Sequence, residues 1–437
     1  MAFLYPKPLE GLAKWWVLSA IALVSVSQKA YSASQETAWP VKITLSQRLR
    51  YEYLQNFTIQ GPRDIADGFL LERFRLGALY EKGSFRAFME LQDAHGIDTR
   101  LSREDFGRKD PYENPMDLRQ AYIACDVPSL PLKVKAGRQV IAYWDNRVFG
   151  PGEWGNTGRY NWDAFKLVLK KGPFWADAFY ARQVYNDPYH FDGGREPFHV
   201  WSAFAGWTRG VGSLESFLTL KDGQARGSVR RHEHRFSAGV RLKGNVFNGV
   251  ELEGFLVPQW GKLGEEPIHA MGAMASVGYR LKAPWKPRVS LAYAYASGDK
   301  NPSDRKSGTF DGVFGAIDMY YGRMNLFSWQ NLKDYQASVE LSPLERMNAR
   351  LDYHFFMLDR SQDAWYFGMN NGVTRRKDAG NGLRLGHELD FVLKYKAFKN
   401  LEFQAGFGHF FPGERVKSVG AFEGMNWYFF QTEWHFL

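Results

Sequence analysis

Five arginines near the start of the chain recur at alternate positions of short apolar stretches. They are Arg48, Arg50, Arg73, Arg75 and Arg86. A guanidinium stays charged and presents a planar fork of N–H donors that binds a carboxylate through two parallel hydrogen bonds. Several such groups on one wall would raise the local potential and concentrate anions. The chemistry that these residues predict is therefore anion binding.

Other charged residues follow the same alternating spacing. The basic ones are Lys135, Arg235 and Arg241, and the acidic ones are Glu251, Glu253, Glu340, Glu388, Asp390 and Glu402. Most of the acidic positions come later in the chain than the arginines. We therefore expect a wall that is basic in its N-terminal part and more acidic in its C-terminal part. The alternative is that the arginines pair with the carboxylates and brace the wall.

Two groups of residues could carry other chemistry. His232 and His234 point to one side of an extended segment, but two imidazoles without a third ligand make a weak metal site. Ser338, Asp352 and His354 would share one face of neighbouring strands, yet nothing marks them as a nucleophile with its base. We expect neither a metal, a cofactor nor catalysis.

The elements that must position these side chains are β-strands. Between 400 and 410, Leu401, Phe403 and Phe407 alternate with Glu402 and Gln404. Because successive side chains of a strand point to opposite faces, this period of two predicts a strand with one apolar face. The same pattern predicts about 18 strands of ~10 residues. They are 41–53, 69–80, 84–93, 117–127, 131–143, 161–170, 173–184, 199–208, 213–222, 234–243, 248–258, 269–281, 287–297, 331–342, 346–358, 384–396, 400–410 and 425–437.

The connections between these strands distinguish two all-β architectures. Those after even strands are short, such as 81–83 and 343–345, and those after odd strands are long, such as 144–160 and 298–330. Short turns on one side and long loops on the other are typical of a transmembrane antiparallel up-and-down barrel of the outer-membrane type. A soluble sandwich has no reason to sort its loops in this way. The apolar faces are therefore expected to contact lipid and the charged faces to line the lumen.

The N-terminus and the composition agree with an exported membrane protein. Lys7 and Lys14 precede the apolar segment 15–26 and the small residues 30–34, which is typical of a cleaved secretory signal. We expect a signal peptide at 1–33 and a single barrel domain at 34–437. Aromatic residues make up 16% of the chain, as the interfacial girdles of a barrel require. The net charge of +9 does not indicate nucleic acid, because a secretory signal sends the chain away from it.

Three segments resemble the alginate-export family of outer-membrane proteins. They are AGRQVIAYWDNRVFGPGEWGNTGRYNWDAFKL at 136–167, YASGDKNPSD at 295–304 with the stretch 308–327, and the hairpin GHELDFVLKYKAFKNLEF with FGHFFPGE. The resemblance implies an 18-stranded barrel that passes an acidic polysaccharide through an arginine-rich pore. It also implies that Arg138 and Arg147 are pore or pore-mouth residues.

The resemblance meets two difficulties. Lys135 shares its parity with Gln139, so a regular strand would turn Arg138 toward lipid. Either a bulge at Gly137 turns Arg138 inward, which we favour, or Arg138 lies above the bilayer. The periplasmic turn that plugs the alginate exporter also has no counterpart of sufficient length here.

We therefore expect a channel in the outer membrane of a Gram-negative bacterium that passes an anionic polysaccharide or another anionic solute through a basic lumen. Its partners would be outer-membrane lipid, the solute and periplasmic export components, without nucleic acid. The alternative is a general or nutrient-uptake porin for small polar solutes.

Overall fold

The computed structural model describes residues 40–56, 66–101, 110–193, 198–225, 231–247, 249–368, 382–418 and 423–436. Within these residues the chain forms 18 strands. The predicted signal peptide lies outside the described residues. The first nine strands are β1 (Val41–Gln55), β2 (Asp67–Lys82), β3 (Phe85–Ile97), β4 (Asn114–Asp126), β5 (Leu132–Gln139), β6 (Asn161–Lys171), β7 (Phe174–Val184), β8 (His199–Arg209) and β9 (Gly212–Ala225).

The remaining nine strands complete the sheet. They are β10 (Arg231–Phe247), β11 (Val250–Leu263), β12 (Glu266–Arg280), β13 (Arg288–Ala296), β14 (Leu332–Leu341), β15 (Met347–Leu358), β16 (Arg384–Phe398), β17 (Leu401–Pro412) and β18 (Met425–Phe436). Each strand pairs antiparallel with the next, and β18 pairs with β1, which closes the barrel. The predicted fold class, an up-and-down barrel of 18 strands, is confirmed. The described part also contains a short helix, α1 (Glu414–Lys417), and no helix long and apolar enough to cross a membrane.

The two faces of the barrel have the polarity that the alternation predicts. Side chains such as Ile123, Leu256 and Leu291 are exposed on the outer face, where lipid replaces water as the surrounding medium. Polar side chains such as Arg48 and Asp390 are buried on the inner face. This arrangement is the reverse of a soluble sheet, because here the apolar solvent is outside.

The connections differ from the prediction at one hairpin. Only Gly264 and Glu265 join β11 to β12, although this connection belongs to the odd set that was predicted to be long. β11 and β12 instead extend toward each other, and their register continues to the pair Leu263 and Glu266. The alternation of short and long connections is therefore not strict.

Two long connections turn inward. The first loop, residues 140–160, joins β5 to β6, and the second loop, residues 297–331, joins β13 to β14. Trp144 of the first loop packs on the inward-facing Phe217 at a ring distance of 4.9 Å. Phe327 of the second loop packs on Phe356 of β15 at 4.6 Å. The hydrophobic core of the protein therefore lies inside the barrel, between the loops and the wall.

We predict that Leu256→Arg destabilises the barrel by about 2–4 kcal/mol, because it places a charge on the outer face near the middle of β11. The free energy of unfolding by urea in phospholipid vesicles measures this cost. Gln224→Arg, at the extracellular end of the outer face of β9, is the control and should change the stability by less than about 1 kcal/mol. Equal losses in both variants would contradict the assigned faces.

Candidate functional site

The arginines of β1 and β2 hold the first loop against the wall. Arg48 Nη1 donates to the carbonyl oxygens of Glu153 at 3.0 Å and Trp154 at 3.1 Å. Arg50 Nη1 donates to the carbonyl of Trp154 at 2.7 Å, and Arg73 Nη1 donates to that of Glu153 at 2.9 Å. All three arginines are at most 4% exposed. Their guanidiniums therefore bind the backbone of the loop instead of facing an open channel.

The side chain of Glu153 completes this attachment. Its carboxylate lies 2.8 Å from Arg75 Nη1 and 3.7 Å from Arg73 Nη1, and it accepts a hydrogen bond from Arg119. Burial raises the pKa of Glu153, but Arg119, Arg75 and Arg73 together lower it more, so that the pKa lies well below its usual range. The loop thus carries a charged carboxylate into a group of guanidiniums.

Arg119 was not predicted as a site residue, because a regular strand would turn it outward. On β4, Gln120 pairs with Glu90 and Leu118 pairs with Leu91, so the register shifts at Arg119. This β-bulge turns Arg119 inward, where Nη1 donates to Glu90 at 2.8 Å. The available signal was an arginine on the otherwise apolar parity of Ala121.

Carboxylates of β16, which is separated from β1 by two strands, hold the second loop. The backbone N–H of Arg323 donates to Asp390 Oδ2 at 3.1 Å, and that of Met324 donates to Glu388 Oε1 at 2.9 Å. A Cβ at Gly322, whose φ is 80°, would lie 2.4 Å from Glu388 Oε1, so glycine permits this close approach. Glu388 and Asp390 are fully buried. These predicted lumen residues therefore anchor a loop.

The two loops are joined to each other in the centre of the barrel. The N–H of Gly150 donates to the carbonyl of Phe314 at 3.0 Å, and the N–H of Phe314 donates to the carbonyl of Val148 at 3.0 Å. The N–H of Ala316 donates to the carbonyl of Asn146 at 2.8 Å. The loops therefore form one internal body that is fastened to basic residues of β1 and β2 and to acidic residues of the nearby strand β16.

Arg147 lies at this junction between the two loops. Its guanidinium is 4.6 Å from the ring centre of Tyr320 and 3.3 Å from Asp145. Burial lowers the pKa of Arg147, but Asp145 and Tyr321 raise it more, so the guanidinium keeps its charge. Aromatic faces attract a cation, so this arginine is fixed in place.

A cavity of about 80 Å³ lies between the two loops and the wall of β1 and β18. Charged and aromatic side chains line it, which are those of Arg50, Arg159, Arg323, Glu52, Asp318, Trp154 and Trp427. Within the described residues, Arg159 Nε and Arg323 Nη1 have no hydrogen-bond acceptor, whereas Arg323 Nε lies 3.6 Å from Asp352 Oδ2. Buried N–H groups without a partner are costly, so the cavity offers donors to a polar guest.

The other predicted charges contact side chains of the same strand or of a neighbouring strand. Arg86, Arg235 and Arg241 lie 2.8, 2.5 and 2.5 Å from Glu81, Glu233 and Glu253, respectively. Glu251 lies 2.7 Å from Arg288, Glu340 lies 2.6 Å from Arg350, and Glu402 accepts a hydrogen bond from Gln404 at 2.7 Å. Lys135 Nζ lies 3.6 Å from the ring centre of Tyr122. The expected acidic wall therefore also contains arginines, Arg288 and Arg350, that were not predicted.

The favoured orientation of Arg138 is wrong. The register of β5 with β4 and β6 continues without a bulge, and Arg138 lies opposite Ala121 and Asp163 on the outer face. Its Nε donates to Asp163 Oδ1 at 2.9 Å. Gly137 adopts a φ of 120°, but the alternation is preserved, so Gln139 and not Arg138 is buried inside.

The described residues form neither a catalytic set at Ser338, Asp352 and His354 nor a metal site at His232 and His234. Ser338 donates to Asp352 at 2.5 Å, whereas His354 lies 3.0 Å from Asp334, and no hydrogen bond joins the serine to this histidine in the described chain. His232 and His234 lie outside the barrel. Among the described residues, no group of three or more His, Cys, Asp or Glu side chains is arranged to hold a metal ion.

We predict that Glu153→Gln loosens the first loop, because it leaves the arginine group without its counter-charge. The carboxylate is 43% exposed, so we expect docking to weaken by roughly 1–2 kcal/mol. Amide hydrogen exchange at residues 153–157 should then become about 5- to 30-fold faster. Glu340→Gln, which removes an ion-paired carboxylate elsewhere on the wall, is the matched control. Unchanged exchange in Glu153→Gln would show that the backbone contacts suffice.

Comparisons with known proteins agree with this architecture. The structure is similar to Acinetobacter baumannii OccAB4, with a TM-score of 0.61 and 9% sequence identity over 90% of this chain and 98% of that one. It is similar to Pseudomonas aeruginosa OccD3 (OpdP), with a TM-score of 0.59 and 13% identity over 90% and 91% of the two chains. It is also similar to Pseudomonas aeruginosa OccK11 (OpdR), with a TM-score of 0.56 and 12% identity over 90% and 95%. At these identities the likeness concerns the fold.

No curated protein sequence matches the chain significantly. The family model described as alginate export matches residues 40–424, which include the first 17 strands and end just before β18. Together with the closed barrel and its apolar outer face, this match establishes an outer-membrane channel, and the chain belongs to the alginate export family.

Proposed function

We propose that this channel conducts an anionic solute and that the solute is an acidic polysaccharide. The observation that carries the proposal is the cavity between the two loops, where Arg159 and Arg323 present unpaired N–H donors beside Trp154 and Trp427. Guanidiniums bind the carboxylates of a uronate in a planar, bidentate manner. Indole faces provide apolar contact for the flat sides of a sugar ring. This combination suits a chain of acidic sugars.

The arginines of β1 and β2 have a different role in this proposal. Arg48, Arg50 and Arg73 hold the first loop, so they shape the passage. The solute contacts come from arginines that the loops carry, which are Arg147, Arg159 and Arg323. Export of a polymer would also require periplasmic components that deliver it to the channel.

A second candidate function is the uptake of small polar solutes. It is favoured by the filled upper lumen, since the two joined loops leave a cavity of only about 80 Å³ at their contact with β1 and β18. The mixed pairs of the lower wall, such as Arg241 with Glu253 and Arg288 with Glu340, would orient a small dipole. A polymer, in contrast, would have to displace a loop.

We predict that Arg159→Gln with Arg323→Gln weakens block of the single-channel current by an acidic oligosaccharide. The loss should be about tenfold or more at low salt, because charge-assisted hydrogen bonds contribute ~1.5–3 kcal/mol. It should shrink as the salt concentration rises. Block by a neutral oligosaccharide of equal length should stay unchanged.

Arg86→Gln is the matched control, because it removes one guanidinium from the lumen near the short turn 83–84, away from the cavity. Equal block of the double variant and the parent by the acidic oligosaccharide would overturn the proposal. Loss of selectivity for small anions without any block of the parent by the oligosaccharide would instead favour the uptake of small solutes.

A further inference from the structure

A row of charged and titratable side chains crosses the outer face of the barrel obliquely, because barrel strands are tilted by about 35–45° and the row follows their pairing. The row contains one residue from each of the seven adjacent strands β5 to β11, and each member lies directly opposite the next. Arg138 lies opposite Asp163, Asp163 opposite Arg182, Arg182 opposite His199, His199 opposite Asp222, Asp222 opposite His234, and His234 opposite Lys262. We call this set the outer row. With neighbouring strands ~4.8 Å apart, it spans roughly 29 Å.

A second row lies two residues closer to the short turns on the same strands. It is aromatic at five of its seven positions, which are Ala136, Phe165, Tyr180, Trp201, Leu220, Phe236 and Trp260. Phe165, Trp201 and Trp260 are 50%, 45% and 42% exposed on the outer face. Aromatic girdles mark the boundary between hydrocarbon and headgroups. The outer row therefore lies beyond the aromatic residues on the side of the long loops, toward the outer leaflet.

The side chains of the outer row are organised by hydrogen bonds between strands. His232 Nε2 and His234 Nδ1 are both hydrogen-bonded to Oδ1 of Asp222, at 3.0 and 2.9 Å. Tyr180 and His199 are joined at 2.6 Å. Each imidazole therefore has one nitrogen engaged and the other directed away from its partner.

Two cations of the outer row keep their charge available. Arg182 and Lys262 are exposed, and neither takes part in a hydrogen bond or an ion pair within the part of the chain that the structure describes. The fixed charges of the row are three positive, on Arg138, Arg182 and Lys262, and two negative, on Asp163 and Asp222. Imidazoles that carry a proton add to the positive side. The row therefore has a net positive charge, which attracts anions, next to the apolar part of the outer face.

We propose that the outer row binds the phosphate groups of the phosphorylated lipid headgroups in the outer leaflet. Arg182 and Lys262 provide the free charges, and the imidazoles between them provide N–H donors. The aromatic row below packs against the acyl chains of the same lipids. The width of the row allows several headgroups to bind side by side.

The test is lipid binding by the whole purified barrel in detergent micelles, measured by native mass spectrometry. The probes are diphosphorylated lipid A and the same lipid after removal of its phosphates. The parent should retain the phosphorylated form at least fivefold better than the dephosphorylated form. Arg182→Gln with Lys262→Gln should lose this preference.

Lys171→Gln with Arg209→Gln is the matched control, because it removes one lysine and one arginine from the opposite end of the outer face of β6 and β8. This variant should keep the preference, and resistance to heat in sodium dodecyl sulfate should show that both double variants are folded. The proposal is overturned if the outer-row variant binds like the parent, or if inorganic phosphate at millimolar concentration displaces the lipid. It is also overturned if the parent is an oligomer that the outer-row variant fails to form, because the row would then join copies of this chain.

Discussion

The interaction on which the interior of this protein depends is the charge-assisted hydrogen bond between a wall side chain and a loop. A barrel of 18 strands encloses more space than its own side chains can fill. The first and second loops occupy that space, and they bring backbone groups that must be satisfied away from water. Guanidiniums of β1 and β2 donate hydrogen bonds to carbonyls of the first loop. Carboxylates of β16 accept hydrogen bonds from backbone N–H groups of the second loop. The charge of each anchor, basic on β1 and β2 and acidic on β16, thus matches the polarity of the loop groups that it binds.

This arrangement separates two roles that one residue type could serve. An arginine that is buried and whose terminal nitrogens donate to loop carbonyls and nearby side chains has little left for a passing solute. Arg48 and Arg73 are of this kind, at 2% and 4% exposure. Arg159 and Arg323 sit on the loops and keep donors free at the cavity. Solute recognition and loop attachment therefore come from different arginines, and a change in one loop could alter selectivity without weakening the barrel.

The outside of the barrel follows a second constraint, which is the layered medium of the membrane. Several strands pass from an apolar middle through an aromatic residue to polar ones. On β10 this order is Val240, Phe236 and His234. Because the strands are held in register, these residues form rows across several strands. The net charge of a row is the sum over all of these strands and cannot be read from one strand alone. Arg138 belongs to this surface, where Asp163 balances its charge.

The amino-acid sequence alone determined the strands, their alternation and the closed barrel, because a period of two records which side of each strand meets lipid. Parity even indicated the outward direction of Arg138, and the expectation of a bulge, which came from the resemblance, was wrong. The tertiary structure decided what alternation cannot encode. The inward path of residues 140–160 and 297–331 has no period, and it depends on contacts between residues more than 100 positions apart, such as Arg48 with Glu153. The bulge that turns Arg119 inward likewise depends on the register with β3, which no single strand contains.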